Sequence, residues 1–516
     1  MKRKLSILLF CCMLLSVFVS CGKEEVLTSE ETLSGLPSSS EDNSSNTEDT
    51  GFPDTPTDVV MPAYTPRDYS INGSVMMYIS TDEDNTFKTS TLNVVDAENL
   101  DESGVIIEID ANQRRQILEG VGASFTDSSA YLINSLLSAE KRNEVMQKLF
   151  SYENGIGISF LRNPMGACDY SRDVYSYDDT PGDTELNKFS IARDMQNVVP
   201  LTKQALSINS SLKVMGTPWS APGWMKTTNS MQNGILKYEH YGTYANYFVK
   251  YIEAYKAQGI PIFAVTPQNE PLLGMNSYPT MTMTAEDQAK FIGESLGPAF
   301  EEKGIDTKIL CYDQNWDHPE YPRLLLNSDA YKFISGTAWH VYGGNEAAQT
   351  EIKREFPKKA VYFTETSCGV WVGDGSFESN LIEQAKNGVR ILRNYSSSLI
   401  FWNIALDQNN GPVVPGFGIS KSHGLIEVNN MLKTVTYQGG YYALGHFSKW
   451  MKPGATIVFS SNDVSNVVCH NTDGSVAMVA ANDKGESKKI TVVFGDKSFT
   501  ATIPGNSVAT CVWQAA

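Results

Sequence analysis

The sequence predicts an α/β protein, a (β/α)8 barrel with an attached small β-sandwich built from its N- and C-terminal segments. Two observations carry this. From about residue 115, eight short apolar runs alternate with helix-like stretches over most of the chain. On either side of that rhythm, residues 73–112 and 451–516 read as short strands separated by turn residues.

The chain opens on "MKRK", then an apolar run, "LSILLFCCMLLSVFV", too short to span a bilayer comfortably, with Ser20 before Cys21. This is the layout of a secretory signal peptide over residues 1–21. With cysteine at the cut it resembles a bacterial lipoprotein signal, which implies a lipidated Cys21 and a protein exported and anchored to the outer membrane, facing outward. An ordinary signal cleaved nearby is the alternative. Residues 22–62 read as a disordered acidic Ser/Thr/Pro linker, and half of the net charge of −18 falls within residues 22–60.

Barrel residues 113–450 supply the eight strands: "ILEGVGASF", "ISFLRNPMG", "LKVMGTPWS", "IFAVTPQNE", "KILCYDQNW", "ISGTAWHVY", "AVYFTETS" and "SLIFWNIAL". Between them lie amphipathic segments such as "DMQNVVPLTKQALSI" and "YGTYANYFVKYIEAYKAQG", the second ended by Gly259. A doubly wound open sheet is the rival fold. It favours a Gly-rich phosphate loop after the first strand, and "GVGAS" is not a GxGxxG.

Catalytic groups of such barrels sit at the C-terminal ends of the strands. Here those ends hold Asp127, Arg162 with Asn163, Trp219, Asn269 with Glu270, Trp316, His340 with Tyr342, Glu365, and Trp402 with Asn403. Trp219, Trp224, Trp316, Trp339, Trp371 and Trp402 all fall at strand ends or just beyond, where flat aromatic faces suit sugar rings. Glu270 closes strand four before Pro271, and Glu365 closes strand seven in "VYFTETS", where alternation puts Val, Phe and Glu on one face and Tyr and Thr on the other. Either glutamate alone reads equally as a salt-bridged or solvated residue. Two acids facing one pocket cannot both ionise easily, a split that glycoside hydrolysis uses.

The acidic balance excludes nucleic acid as a partner. Five cysteines follow Cys21, and none has zinc-ligand spacing. Cys469 and Cys511 share the C-terminal segment, which leaves open a disulfide or two separate buried residues. The acids of "YSYDDTPGD" lack calcium-loop spacing, and the segment reads as a structured loop over the pocket.

Nine collinear segments then resemble glycoside hydrolase family 30, the relatives of glucosylceramidase and of endo-β-1,6-glucanases: "QILEGVGASFTDSSA", "LRNPMGACDYS", "YSYDDTPGD", "GTPWSAPGWMKT", "VTPQNEP", "GTAWHVYGG", "FTETSCG", "FWNIALDQNNGP" and "YYALGHFSKWMKPGA". The resemblance implies Glu270 as acid/base and Glu365 as nucleophile of a retaining β-glycosidase. Asp127, Trp219, Asn269, His340, Tyr342 and Trp402 would line the sugar subsite, and Arg162 would orient a carboxylate. No metal or organic cofactor is implied. Endo-β-1,6-glucanase action on β-1,6-glucan is the expected activity. The alternatives are a glucosylceramidase-type β-glucosidase, a β-xylosidase, or a non-catalytic carbohydrate-binding surface lipoprotein. One departure lies at Ser422 and His423, where many glucan-cleaving relatives carry a cysteine-containing loop.

Overall fold

The computed structural model describes residue 61 and residues 64–516. The signal peptide, Cys21 and nearly all of the 22–62 linker lie outside the described residues. All eight predicted barrel strands are present: β1 Gly120–Ala123, β2 Phe160–Pro164, β3 Lys213–Thr217, β4 Ile262–Val265, β5 Lys308–Asn315, β6 Ile334–His340, β7 Ala360–Thr366 and β8 Ser396–Phe401. They pair in parallel in that order, and β8 closes on β1 through Ser398–Gly120 to Phe401–Ala123. Helices return the chain between strands, as at Val198–Ile208 and Tyr241–Ala257. The second of these runs into Gly259, whose φ of +79° suits glycine.

Strands β2 to β8 each send one side chain to a common layer inside the barrel: Phe160, Met215, Ala264, Leu310, Ala338, Tyr362 and Ile400. Strand β1 contributes Gly122, where a Cβ would lie 1.8 Å from the Phe160 carbonyl oxygen. This apolar layer fills the barrel interior, leaving polar residues toward the C-terminal strand ends to face the pocket.

The sandwich draws on both termini, as predicted. Ten strands form one sheet in the order 88–92, 71–80, 507–515, 475–482, 466–470, 456–460, 105–117, 488–494, 497–503 and 94–96. The sheet folds over one core in which Val75 and Met77 from one end join Ile490, Val492 and Phe499 from the other. One boundary is corrected. Residues 113–117, assigned above to the barrel, continue the sandwich strand Val105–Ile117, in which Ile117 still pairs with Thr456. The barrel helix Phe377–Arg393 docks the sandwich, with Arg393 Nη1 donating to the Asn466 carbonyl at 3.0 Å. Cys469 and Cys511 are unpaired and buried in different cores.

Candidate active site

The polar layer is built on Arg162, fully buried on β2. Its Nη1 donates to Glu365 Oε2 at 2.7 Å, and its Nη2 to Asn269 Oδ1 at 2.6 Å and Asp313 Oδ2 at 3.0 Å. Asp313, on β5, also lies 3.1 Å from His340 Nε2 and accepts from the hydroxyls of Thr364 and Thr266. Burial opposes ionisation of Asp313, but Arg162, His340 and Thr364 hold its carboxyl well below the usual range. His340 Nδ1 in turn lies 3.4 Å from Glu270 Oε1. Burial works against the charged ring, yet Glu365, Asp313 and Glu270 outweigh it and hold His340 up to about 9.

Backbone irregularities aim these groups. Tyr312 and Asp313 have φ of +78° and +72°, and the β5–β6 register slips between Ala338 and Trp339. Leu310 points in, Cys311 and Tyr312 both pack on the outer face, and this break in alternation turns Asp313 inward. On β7 the predicted alternation holds through Thr364, with Val361 and Phe363 pointing out to the helices and Tyr362 and Thr364 pointing in, and only Glu365 departs from it. A second slip, between Trp339–Phe363 and His340–Glu365, brings Glu365 inward as well. Glu270 lies five residues beyond β4, at φ +44°, with its N–H donating to the Asp313 carbonyl. Left-handed backbone at a non-glycine residue costs on the order of 1–3 kcal/mol and gathers at functional sites.

Glu270, His340 and Glu365 each offer an atom within 4.8 Å of the others. The two carboxylates are thus close enough for nucleophile and acid/base of a retaining glycosidase, whose carboxyl groups stand about 5 Å apart. The same triad has the donor types of a metal site. The Arg162 guanidinium on Glu365 already supplies a fixed cation there, which disfavours a metal ion. Tyr342 donates to Glu365 Oε1 at 2.9 Å. Burial raises the Glu365 carboxyl above its ordinary value, with Glu270 adding to this and His340 and Arg162 pulling against it.

Most of the predicted residues converge here. Trp219 and Trp402 stack at 4.9 Å, with the Arg162 guanidinium 4.9 Å and 5.8 Å from their rings. Four other residues take protein partners. Asp127 belongs to an ion-pair cluster: both its oxygens accept from Arg172, and Arg193 Nε adds a contact at 3.3 Å, in the first turn of a helix capped by Thr126. Trp316 and Trp339 are core residues, their indole N–H groups bonded to Gln349 and Thr337. Trp224 binds the Asp178 carbonyl, tying the 174–183 loop to the loop after β3.

Asp169 was missed. It follows β2 by five residues, and its buried Oδ1 has no protein partner. Burial pushes its carboxyl up to about 8, with Glu365 and Glu270 adding to the rise. Its neighbours Cys168 and Tyr170 cluster with Trp219 and Trp402. An unpaired acid oxygen in such a place is a signature of a ligand contact.

The model of the glycosyl hydrolase family 30 TIM-barrel domain matches residues 118–451, and that of the family 30 beta sandwich domain matches residues 454–511. This chain belongs to glycosyl hydrolase family 30. It is 31% identical over 434 residues to endo-1,6-beta-D-glucanase neg1 of Aspergillus fumigatus, covering 78% of this chain and 86% of that one. It is likewise 31% identical over 440 residues to the lysosomal acid glucosylceramidase of Mus musculus, covering 80% and 84%. Among solved structures it is similar to the endo-beta1,6-glucanase BT3312, at 33% identity and a TM-score of 0.77, covering 86% of this chain and 100% of that one. The family 30 protein is a retaining glycoside hydrolase.

Proposed function

We propose that this family 30 enzyme is an endo-β-1,6-glucanase in which Glu365 is the nucleophile and Glu270 the acid/base. The carrying observation is the approach of the two carboxylates to within 4.8 Å beside Arg162 and His340. Of the pair, Glu365 receives an N–H on one oxygen and an O–H on the other, so its anion is the one the site is built to hold. Among the described residues the Glu270 carboxylate bonds only His340, and it stands more open, as a group that exchanges a proton with leaving group and water must. In the first step Glu270 protonates the glycosidic oxygen as Glu365 attacks the anomeric carbon. In the second, Glu270 takes a proton from water, which releases the sugar from Glu365.

Trp219, Trp402, Asn269 and Asp169 bound the donor sugar in this reading, with Asp169 accepting from its hydroxyls. The choice of β-1,6-glucan follows the fungal and bacterial relatives that carry that name. Similarity to glucosylceramidases supports a second substrate class, β-glucosides with an apolar aglycone. Chromatography of products from β-1,6-glucan tests the reading, with Glu270→Ala and Glu365→Ala as controls. A ladder of oligosaccharides from the wild type alone is expected. Cleavage of glucosylceramide with none of the glucan would favour the second class. Glycan binding without any product would leave a carbohydrate-binding role.

The enzyme is placed by us on the outer membrane through a lipid on Cys21, where soluble polysaccharide reaches it. Metabolic labelling with palmitate tests this: the wild type takes up label, and Cys21→Ala loses it.

A further inference from the structure

The Tyr342 hydroxyl touches two groups, Glu365 Oε1 at 2.9 Å and Ser367 Oγ at 2.6 Å. A phenol has one proton to donate. An ionised Glu365 only accepts, so the phenol proton goes to the carboxylate and the phenol oxygen is left as an acceptor. The remaining partner, Ser367, must then be the donor. We propose that Ser367 is a positioning residue for the nucleophile, donating to Tyr342 so that Tyr342 donates to Glu365. The proposal rests on the assignment of Glu365 made above.

Three features make this an ordered relay. Ser367 is buried, and its segment is clamped from behind by the helix Phe377–Arg393: Gln384 Nε2 donates to the Ser367 carbonyl at 2.8 Å, and Gln384 Oε1 accepts from Thr366 at 2.9 Å. Tyr342 is itself 43% exposed, with His340 edge-on at 6.2 Å, so its hydroxyl contacts are what tie the ring to the pocket floor. The ring is exposed but its hydroxyl end is enclosed between Glu365 and Ser367, and that enclosure with the Glu365 charge raises the phenol far above its ordinary value, so it keeps its proton. Two hydrogen bonds running in the same direction strengthen each other. The relay holds Glu365 as an anion before attack and stabilises the same carboxylate as it departs from the sugar in the second step.

The test uses the full chain acting on β-1,6-glucan, with pH profiles of kcat/KM. Ser367→Ala is expected to lower kcat by about two- to tenfold, the weight of one neutral hydrogen bond. It is also expected to move the acid limb of the profile to higher pH, because the anion loses support. Ser367→Thr keeps the hydroxyl and should restore both rate and limb. In the Tyr342→Phe background, Ser367→Ala should cost nothing further. A folded Ser367→Ala enzyme with unchanged rate and limb overturns the proposal. So does a Ser367→Thr enzyme that falls as far as Ser367→Ala, or an equal loss in the Tyr342→Phe background. The nucleophile assignment is tested apart from these: Glu365→Ala should be inactive and rescued by azide as a glycosyl azide. Turnover by Glu365→Ala without azide would overturn that assignment whatever Ser367 does.

Discussion

Arg162 reaches Glu365 at 2.7 Å although their strands, β2 and β7, are separated around the barrel by β1 and β8. The same guanidinium bonds Asp313, which lies 3.1 Å from the His340 ring nitrogen opposite the one facing Glu270. One buried cation and one buried anion therefore join Glu270 and Glu365 into a single network. Arg162, Asp313 and His340 are fully buried, so these three depend on one another without solvent screening.

Removing the cation should show this dependence. Arg162→Met leaves Asp313 and Glu365 without their charged partner, and such a break in a buried pair costs about 3–5 kcal/mol. Denaturant melts should fall by that order, and turnover should be lost along with it. Arg162→Lys keeps the charge but not the fork that serves three acceptors at once, and is expected to recover stability better than activity.

His340 predicts a pH dependence. Its folded value, about 9, lies above the ordinary 6.5, because the acids around it outweigh its burial. A group raised on folding contributes fully below the lower value and loses its contribution as pH passes the higher one. Thermal stability should therefore decline between about pH 6.5 and 9, by on the order of 3 kcal/mol from this residue. His340→Gln should flatten that decline in a scan of melting temperature against pH. A slope unchanged by the substitution would assign it to other groups.

The strands were legible because each apolar run is short, bounded and repeated, which local pattern reveals. The faces were less so. Alternation puts Glu365 with Val361 and Phe363, and a register slip overrides it, a feature of pairing that no single segment encodes. Asp313 stayed hidden inside "KILCYDQNW" for the same reason, its aim set by two left-handed residues. Trp316 and Trp339 stand near strand ends yet face the helices, so position along a strand does not give side. The two aspartates carried a usable signal. Asp127 follows a Thr N-cap in a helix's first turn, where acids serve the helix, whereas Asp169 lies in a loop segment with no helix to serve.

That contrast gives a paired prediction. Asp127→Asn breaks the Arg172 pairing and should lower stability by about 1–3 kcal/mol, with kcat/KM on glucan close to wild type. Asp169→Asn should act oppositely. Its folded value, about 8, lies above the ordinary one because of burial, so the acid loses stability as pH rises through 8. The amide removes that loss, and the melting temperature should rise most in alkaline buffer. Activity should drop by about tenfold or more, since the amide offers the substrate hydroxyls one acceptor oxygen where the carboxyl offers two. Stability rising while activity falls at Asp169, and stability alone falling at Asp127, distinguishes a site acid from a framework acid.

Trp371 carries the last prediction. It is 50% exposed on the loop after β7, and its indole lies over Gly369, where a Cβ would come within 2.4 Å of the ring. Gly369 pairs with Ser422 and Val370 N–H donates to the Lys421 carbonyl, so the loop is stitched to the one after β8. The ring is thus carried on a fixed backbone, with half its surface in water. In the reading proposed above, Asp169, Trp219, Asn269 and Trp402 bound the donor sugar and follow β2, β3, β4 and β8, which leaves the β5 to β7 side for the departing chain, and Trp371 stands on that side. Trp371→Ala should raise KM for β-1,6-glucan by about tenfold, the loss of one stacked ring, and leave hydrolysis of a small aryl β-glucoside nearly unchanged. Gly369→Ala, which displaces the indole without removing it, should reproduce the polymer defect. Equal losses on polymer and aryl glucoside would instead place Trp371 against the donor sugar.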